Sequence, residues 1–199
     1  MAICGTAVGQ DSGPDCTNPS AAGTTNYFHI IDWDEFQLAT VTWTAKVYSA
    51  IALATVGQEA AKIECLPNTI DATCVQQAPG ADGQKPYIHS IGAVLQGMGA
   101  TEKAKRLNYG RGKYVLILRT NGGEAEDSFQ IFGLDCGVTW EGQSWDTKAN
   151  NGSIIGRFVT PSGGASPVFE SEEPYNVWIT STAATLAMIA LLETPVPTP

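Results

Sequence analysis

The stretch that most limits what this chain can become runs from Lys113 to Ser162, KYVLILRTNGGEAEDSFQIFGLDCGVTWEGQSWDTKANNGSIIGRFVTPS, because it leaves almost no room for helix. Tyr114, Leu116 and Leu118 alternate with Val115, Ile117 and Arg119, the apolar density of a strand buried on both faces. Asn121-Gly122-Gly123 then predicts a tight reversal, since an Asn-Gly pair accepts positive φ angles, and Glu124, Glu126 and Asp127 keep that turn in water. Phe129, Ile131 and Leu134 resume as a second strand, with Gly133 and Gly137 marking a bulge or a close backbone approach. Val138 and Trp140 open a third strand, and the polar run to Asn150-Asn151-Gly152 ends in a second Asn-Gly turn. Ile154, Ile155, Phe158 and Val159 build the next strand, so the expectation is an antiparallel meander.

At 199 residues the chain fits one domain, and a hydrophobic share of 43% is enough for a packed core. With 21 glycines and only 16% charged residues, a turn-rich β protein is favoured over a helical bundle. Eleven basic against twenty acidic residues leave a net charge of −9, the wrong sign for gripping nucleic acid. The N-terminus MAICGTAVGQDSG lacks the basic and apolar regions of a secretory signal, so cytoplasmic synthesis is expected. The apolar window from Ala183 to Leu192 is about half of the roughly 20 residues that a membrane span needs. Five cysteines, Cys4, Cys16, Cys65, Cys74 and Cys136, are odd in number and lack a CxxC, which favours reduced structural thiols over disulfides or zinc.

Residues 1–25 carry no periodicity and read as an N-terminal arm, followed by a single β domain over 26–194 and an extended tail over 195–199. Tyr27 to Ile31 predicts a first strand, and Asp32-Trp33-Asp34-Glu35-Phe36 continues it with acids and aromatics alternating at period two. Val41, Trp43, Val47, Ile51 and Leu53 indicate a strand pair or one long strand, with an alanine-rich helix over 49–61 as the rival. From about 58 to 84, Ile63, Cys65, Ile70, Cys74 and Val75 alternate with polar residues around Pro67-Asn68, the pattern of a projecting hairpin with little core of its own. Pro86 to Leu95 returns as a strand. A short helix is expected from Thr101, an N-cap followed by Glu102, to Gly110 at the C-cap, and a C-terminal helix from about Ser181 to Leu192.

The residue types that perform chemistry are sparse. His29 and His89, the two histidines, each sit inside a strand pattern without neighbouring ligands, so core or sheet-face positions are expected. Ser144 lacks the glycine frame of a nucleophile elbow. Gly110-Arg111-Gly112-Lys113 precedes a strand rather than the helix of a phosphate loop. Asp146 to Gly152 lacks the ligand spacing and closing glutamate of a calcium loop. Asp32 and Asp34 on one strand face resemble a glycosidase pair less than solvated edge carboxylates. Trp33, Trp43, Trp140, Trp145 and Trp178 fit core or subunit packing better than a sugar-binding face. Neither a catalytic constellation nor a cofactor motif emerges, and a non-enzymatic role is expected.

The order of these parts resembles the tail tube proteins of long-tailed bacteriophages. The likeness is carried by an arm with Cys4 and Cys16-Thr17-Asn18-Pro19, the strand YFHIIDWDEF, the hairpin, TEKAKRLNYGRG, KYVLILRTN, FQIFGLDCGVTWEGQSWD, SIIGRFVTPSG and ATLAMIALL, spanning roughly residues 16 to 192. FGLDCGV is its most telling segment. The resemblance implies a mainly β, antiparallel sandwich or barrel with a projecting hairpin, one short internal helix and a C-terminal helix. It further implies hexameric rings that stack into a hollow tube, partnered by themselves and by other tail proteins at the tube ends, in a virion assembled in the host cytoplasm. Ile63, Cys65, Ile70, Cys74 and Val75 would then bridge rings. DNA would pass through the lumen without specific binding, repelled by carboxylates drawn from Asp32, Asp34, Glu124, Glu126, Asp127 and Asp146. The alternative is a carbohydrate- or receptor-binding β-sandwich of a baseplate or capsid decoration protein.

Overall fold

The computed structural model describes residues 6–7, 10–11, 23–78, 86–95, 103, 107–120, 126–145, 153–161 and 169–198. Thirteen strands are found among the described residues: β1 (Thr6–Ala7), β2 (Gln10–Asp11), β3 (Thr24–Asp32), β4 (Thr40–Thr44), β5 (Val47–Ala52), β6 (Ala61–Glu64), β7 (Asp71–Gln76), β8 (Tyr87–Leu95), β9 (Tyr114–Thr120), β10 (Phe129–Phe132), β11 (Thr139–Trp145), β12 (Ile154–Val159) and β13 (Tyr175–Val177). Two α-helices lie wholly within the described residues, α1 (Trp33–Leu38) and α2 (Thr182–Leu192). Lys103 and residues 107–109 are also helical, within the short helix expected there. The expected arm at 1–25 lies mostly outside the described residues, apart from the β1–β2 pair and the start of β3.

The protein is mainly β and sandwich-like, built from a seven-stranded sheet ordered β4-β5-β13-β10-β9-β3-β6 and a four-stranded sheet ordered β11-β12-β8-β7. Neither sheet closes into a barrel. β9 is buried on both faces, as its composition requires. Leu116 and Leu118 join Phe28, Ile91, Trp140 and Phe158 between the sheets, while Val115 and Ile117 join Ile31, Phe129, Ile131 and Ile189 beneath the helices. Two apolar layers therefore share one central strand. Each large side chain buried this fully contributes roughly 1.5–3 kcal/mol, and Phe158, fully buried with its ring 4.9 Å from that of Trp140, anchors the inter-sheet layer.

Three sequence expectations are corrected. The run from Lys113 to Ser162 is not one meander: β9 and β10 pair in the larger sheet, while β11 and β12 pair in the smaller. Residues 133–138 carry the chain between sheets. Gly133 and Gly137, at φ 79° and 73°, permit the bend, and a side chain at Gly133 would meet the Tyr114 carbonyl at 2.8 Å. Tyr114 and Val138 exchange both backbone hydrogen bonds, at 2.9 and 2.8 Å, so the bend is stitched to the start of β9. The close approach read from these glycines is present; the strand pairing around them is different. The turns expected at 121–123 and 150–152 lie outside the described residues.

The segment expected to project as a hairpin is part of the sandwich. β6 pairs with β3, from Tyr27↔Glu64 to Ile30↔Ala61, and β7 pairs with β8, from Asp71↔Gly92 to Gln76↔Tyr87. Ile63 and Cys65 are buried, and Ile70 and Ala72 pack on the same inter-sheet core. The chain between β6 and β7 laces the two sheets together at their edges, turning through Asn68 at φ 59°. Cys74 and Val75 are exposed.

The period-two reading of residues 32–36 also fails. Asp32 ends β3 and caps α1, its carboxylate accepting the Asp34 N–H at 3.0 Å, and Asp34 and Glu35 face the positive end of the helix. Phe36 is buried. Residues 40–52 form a strand pair, β4 and β5, and not the rival helix. Their turn places Ala45 and Lys46 at φ 50° and 67°, the two positive angles of a tight β-hairpin loop. At the other end of the chain, Ser181 caps α2 by accepting the Ala184 N–H at 3.2 Å. Glu193 receives the buried His29 ring at 2.7 Å, and Val196 exchanges hydrogen bonds with Gln58 and Gly57, so the tail is pinned to the body. No described helix is long and apolar enough to cross a membrane.

Candidate functional site

The four described carboxylates expected to line a lumen fall into two separate groups. Asp32 pairs with Tyr114 at the start of β9, whereas Glu126 and Asp127 precede Phe129, which pairs with Arg119 near its end. The length of β9, about 20 Å at ~3.3 Å per residue, therefore separates the two groups. Asp32, Asp34 and Glu126 are exposed, Asp127 is half-buried, and Glu124 and Asp146 lie outside the described residues. Of the tryptophans with described side chains, Trp140 is buried, Trp33 and Trp178 are half-buried, and Trp43 alone is mostly exposed, so they form no common face.

The structure instead gathers acidic and aromatic groups where the bend after β10 meets the segment leading into β13. His89, on β8, lies beneath both. Its Nδ1 accepts the Gly133 N–H at 3.2 Å and its Nε2 donates to the Glu172 carbonyl at 3.0 Å, an arrangement that needs the neutral ring. Burial pushes the His89 pKa down to about 4, in agreement with that geometry. His29 is likewise held below the usual histidine range by burial, against the opposing pull of Glu193.

Glu170, also buried, grips the bend. One carboxylate oxygen accepts the Asp135 N–H at 2.9 Å, and the other accepts the Cys136 N–H at 3.3 Å and the Cys136 thiol at 3.1 Å. Its backbone exchanges hydrogen bonds with Tyr87 at 2.9 and 3.1 Å. Burial raises the Glu170 carboxyl above its ordinary range, although the N–H donors favour the carboxylate. Asp135 reciprocates, accepting the N–H and hydroxyl of Ser171 at 2.7 and 2.5 Å. Two segments distant in sequence are thus cross-stitched by carboxylates bound to backbone amides.

Among the described cysteines burial prevails, and the pull of Lys113 on Cys136 is the weakest of the influences on that thiol. Burial raises all three described cysteines, Cys65 to about 12, Cys74 to about 11 and Cys136 further with help from Glu170, so each stays protonated near neutrality. They are free thiols, while Cys4 and Cys16 lie outside the described residues. Among the described residues no three His, Cys, Asp or Glu side chains are placed to hold a metal ion.

Above the stitched floor lies a cleft of about 280 Å³. Trp43, Tyr48 and Tyr175 form one wall, with ring centroids 6.3 Å apart for Trp43 and Tyr48, 5.9 Å for Trp43 and Tyr175, and 6.0 Å for Tyr48 and Tyr175. Asp135, Glu170, Glu172 and Glu173 supply the acidic side. Lys46, from the β4–β5 turn, touches two of the lining residues, with its Nζ 2.6 Å from Glu172 and 5.8 Å from the centre of the Tyr175 ring. Sequence reading missed the site because its parts come from five separate stretches. The local signal was the acidic run Glu170-Ser171-Glu172-Glu173, followed by Pro174-Tyr175.

Compared with known protein families, with characterised proteins and with solved structures, the chain matches none.

Proposed function

We propose that the protein is a structural subunit that assembles with copies of itself into hexameric rings, stacked as the hollow tail tube of a long-tailed bacteriophage. The supporting observation is a sandwich with open edges. β4 and β6 bound one sheet, and β7 and β11 bound the other. A free strand edge invites pairing with another chain unless charge, proline or a bulge blunts it. β6 carries the Lys62–Glu64 ion pair, and the β11–β12 ladder shifts register between Glu141 and Ser144, with Gly142 at φ 65°. β4 has neither charge nor proline and displays Trp43 at 52% exposure, but its ladder with β5 shifts register between Thr42 and Trp43; β7 is charged only at its first residue, Asp71, keeps an unbroken register with β8 and displays Val75 at 51%. The β7 edge is the one best suited to receive a neighbouring copy, and ring closure would leave no edge free.

The net charge of −9 agrees with a conduit that must not hold DNA. The repulsive surface need not be a single carboxylate row, since the described candidates sit at opposite ends of β9.

Sedimentation velocity over a concentration series tests this reading. The protein should populate species of hexamer size and larger, whereas Cys74→Pro, which removes an N–H pointing away from β8 at an exposed position of the β7 edge, should reduce assembly at least tenfold with unchanged circular dichroism. A strictly monomeric wild-type protein at every concentration and salt would overturn it.

A further inference from the structure

We propose that the cleft walled by Trp43, Tyr48 and Tyr175 is a binding site for an organic cation, an ammonium or guanidinium group. The inference stands on the geometry of the cleft and does not depend on the tube reading. Three aromatic rings at mutual centroid distances of 5.9 to 6.3 Å line one cleft, with Tyr48 buried against the other two and Trp43 still half-open to solvent. Aromatic faces attract cations through the ring quadrupole, and clustered rings are a recurrent way to hold alkylated ammonium groups.

The polar side of the cleft sorts the ligand classes. Asp135, Glu172 and Glu173 offer acceptors, whereas the Gln37 amide that also lines the cleft already gives one of its two N–H donors to the Leu134 carbonyl at 3.1 Å. A ligand that brings donors and positive charge meets both requirements; an anion meets neither. A neutral sugar would find the stacking surface but few donors for its ring and hydroxyl oxygens.

The chain itself supplies the pattern for such a ligand. Lys46 places its ammonium against Glu172 at 2.6 Å and over Tyr175 at 5.8 Å, and Tyr175 donates its hydroxyl to the same carboxylate oxygen at 3.0 Å. Lys46 is delivered from a two-residue turn at the rim, and both partners of the ion pair are well exposed, at 60% and 43%. An ion pair this open is weak and readily displaced. Lys46 is therefore a resident competitor: an incoming cation swings it out and takes its place on Glu172, with the rings enclosing the apolar part of the ligand.

The test uses the full-length protein and nuclear magnetic resonance, following the Trp43 indole N–H and the Asn176 and Val177 amides during titration. The probes are tetramethylammonium for a free cation, the tripeptide Gly-Arg-Gly for a peptide-borne guanidinium, and neopentyl alcohol and glucose as neutral controls. Saturable shifts with at least one cationic probe are expected, with millimolar affinity that rises at least threefold in Lys46→Met and falls at least fivefold in Glu172→Gln. Stronger binding of tetramethylammonium identifies a free cation as the source, and stronger binding of the peptide identifies a protein side chain. Two results overturn the proposal: no saturable shift with either cation in wild type and Lys46→Met, or equal binding of a neutral control. The Lys46→Met variant changes an exposed side chain, and its spectrum reports directly whether the fold is kept.

Discussion

Removing Glu64 to Asp82 will abolish cooperative folding. The deleted stretch contains β7, one of only four strands in the smaller sheet, and the six residue pairs that β7 makes with β8 would all be lost. Cys65, Ile70 and Ala72 would leave the inter-sheet core, uncovering Ile91 and Ala93. The link from Leu66 N–H to the Val94 carbonyl and the ion pair between Asp71 and Arg157 would go with them. A domain of this kind has about 5–15 kcal/mol of stability in total, and truncation of single core side chains removes about 2–5 kcal/mol each. Losing several packed residues together with a strand exceeds that reserve. Near-ultraviolet circular dichroism and a thermal melt should show no native signal and no cooperative transition. A cooperative transition close to that of the intact protein would mean that the segment is an appendage, as its alternating pattern suggests.

Acidification from about pH 6.5 to about pH 4 should remove roughly 3 kcal/mol through His89 alone. The sign follows from the ring being a base whose folded pKa, about 4, lies below its ordinary value of 6.5. Protons therefore bind the unfolded chain first, so the contribution is fully present above about pH 6.5 and is lost as pH falls toward about 4. The structural cause is specific: a proton on Nδ1 would face the Gly133 N–H, which that atom must accept, at the point where the bend and the Glu172 segment meet. Glu170 acts in the opposite sense, because a carboxyl raised by burial is favoured by lower pH. The difference between variants isolates His89. In chemical denaturation, His89→Gln should be less stable than wild type at pH 7, and its stability should decline by roughly 3 kcal/mol less between pH 6.5 and 4. Parallel pH profiles would show that the ring is not held neutral. His29, depressed by burial as well, contributes to both proteins equally.

The sequence made the strands and helix ends legible wherever the determinant was local. β9 could be read because a strand buried on both faces must be apolar at every position, and its residues do divide between two cores. α2 was marked by Ser181 before an apolar run and by proline after it. The glycines of FGLDCGV announced a close approach, and Gly133 and Gly137 provide one. α1 was misread because acids and aromatics alternate over residues 32–36, yet Asp32 and Glu35 have the three-residue spacing of a capping box, which was the better signal.

Which strands pair was not legible. β6 and β7 are neighbours in sequence and look like a hairpin, but their partners, β3 and β8, are chosen by burial of Ile63, Cys65 and Ala72 between two sheets. Periodicity records which face of a strand is apolar, not which strand lies beside it. The same limit hid the cleft. Trp43, Lys46, Tyr48, His89, Asp135 and Glu172 acquire a common purpose only after the chain has crossed from β10 to β11 and the 170–175 segment has been stitched to that crossing. No pair of them is spaced in the sequence as a motif.

Edge pairing between copies is the claim on which the tube reading depends, and negative-stain electron microscopy of the purified protein at high concentration examines it most directly. Rings with six-fold symmetry and a central hole, or tubes made by stacking them, are the predicted result. Fields containing only single compact particles at every concentration and salt condition would contradict it.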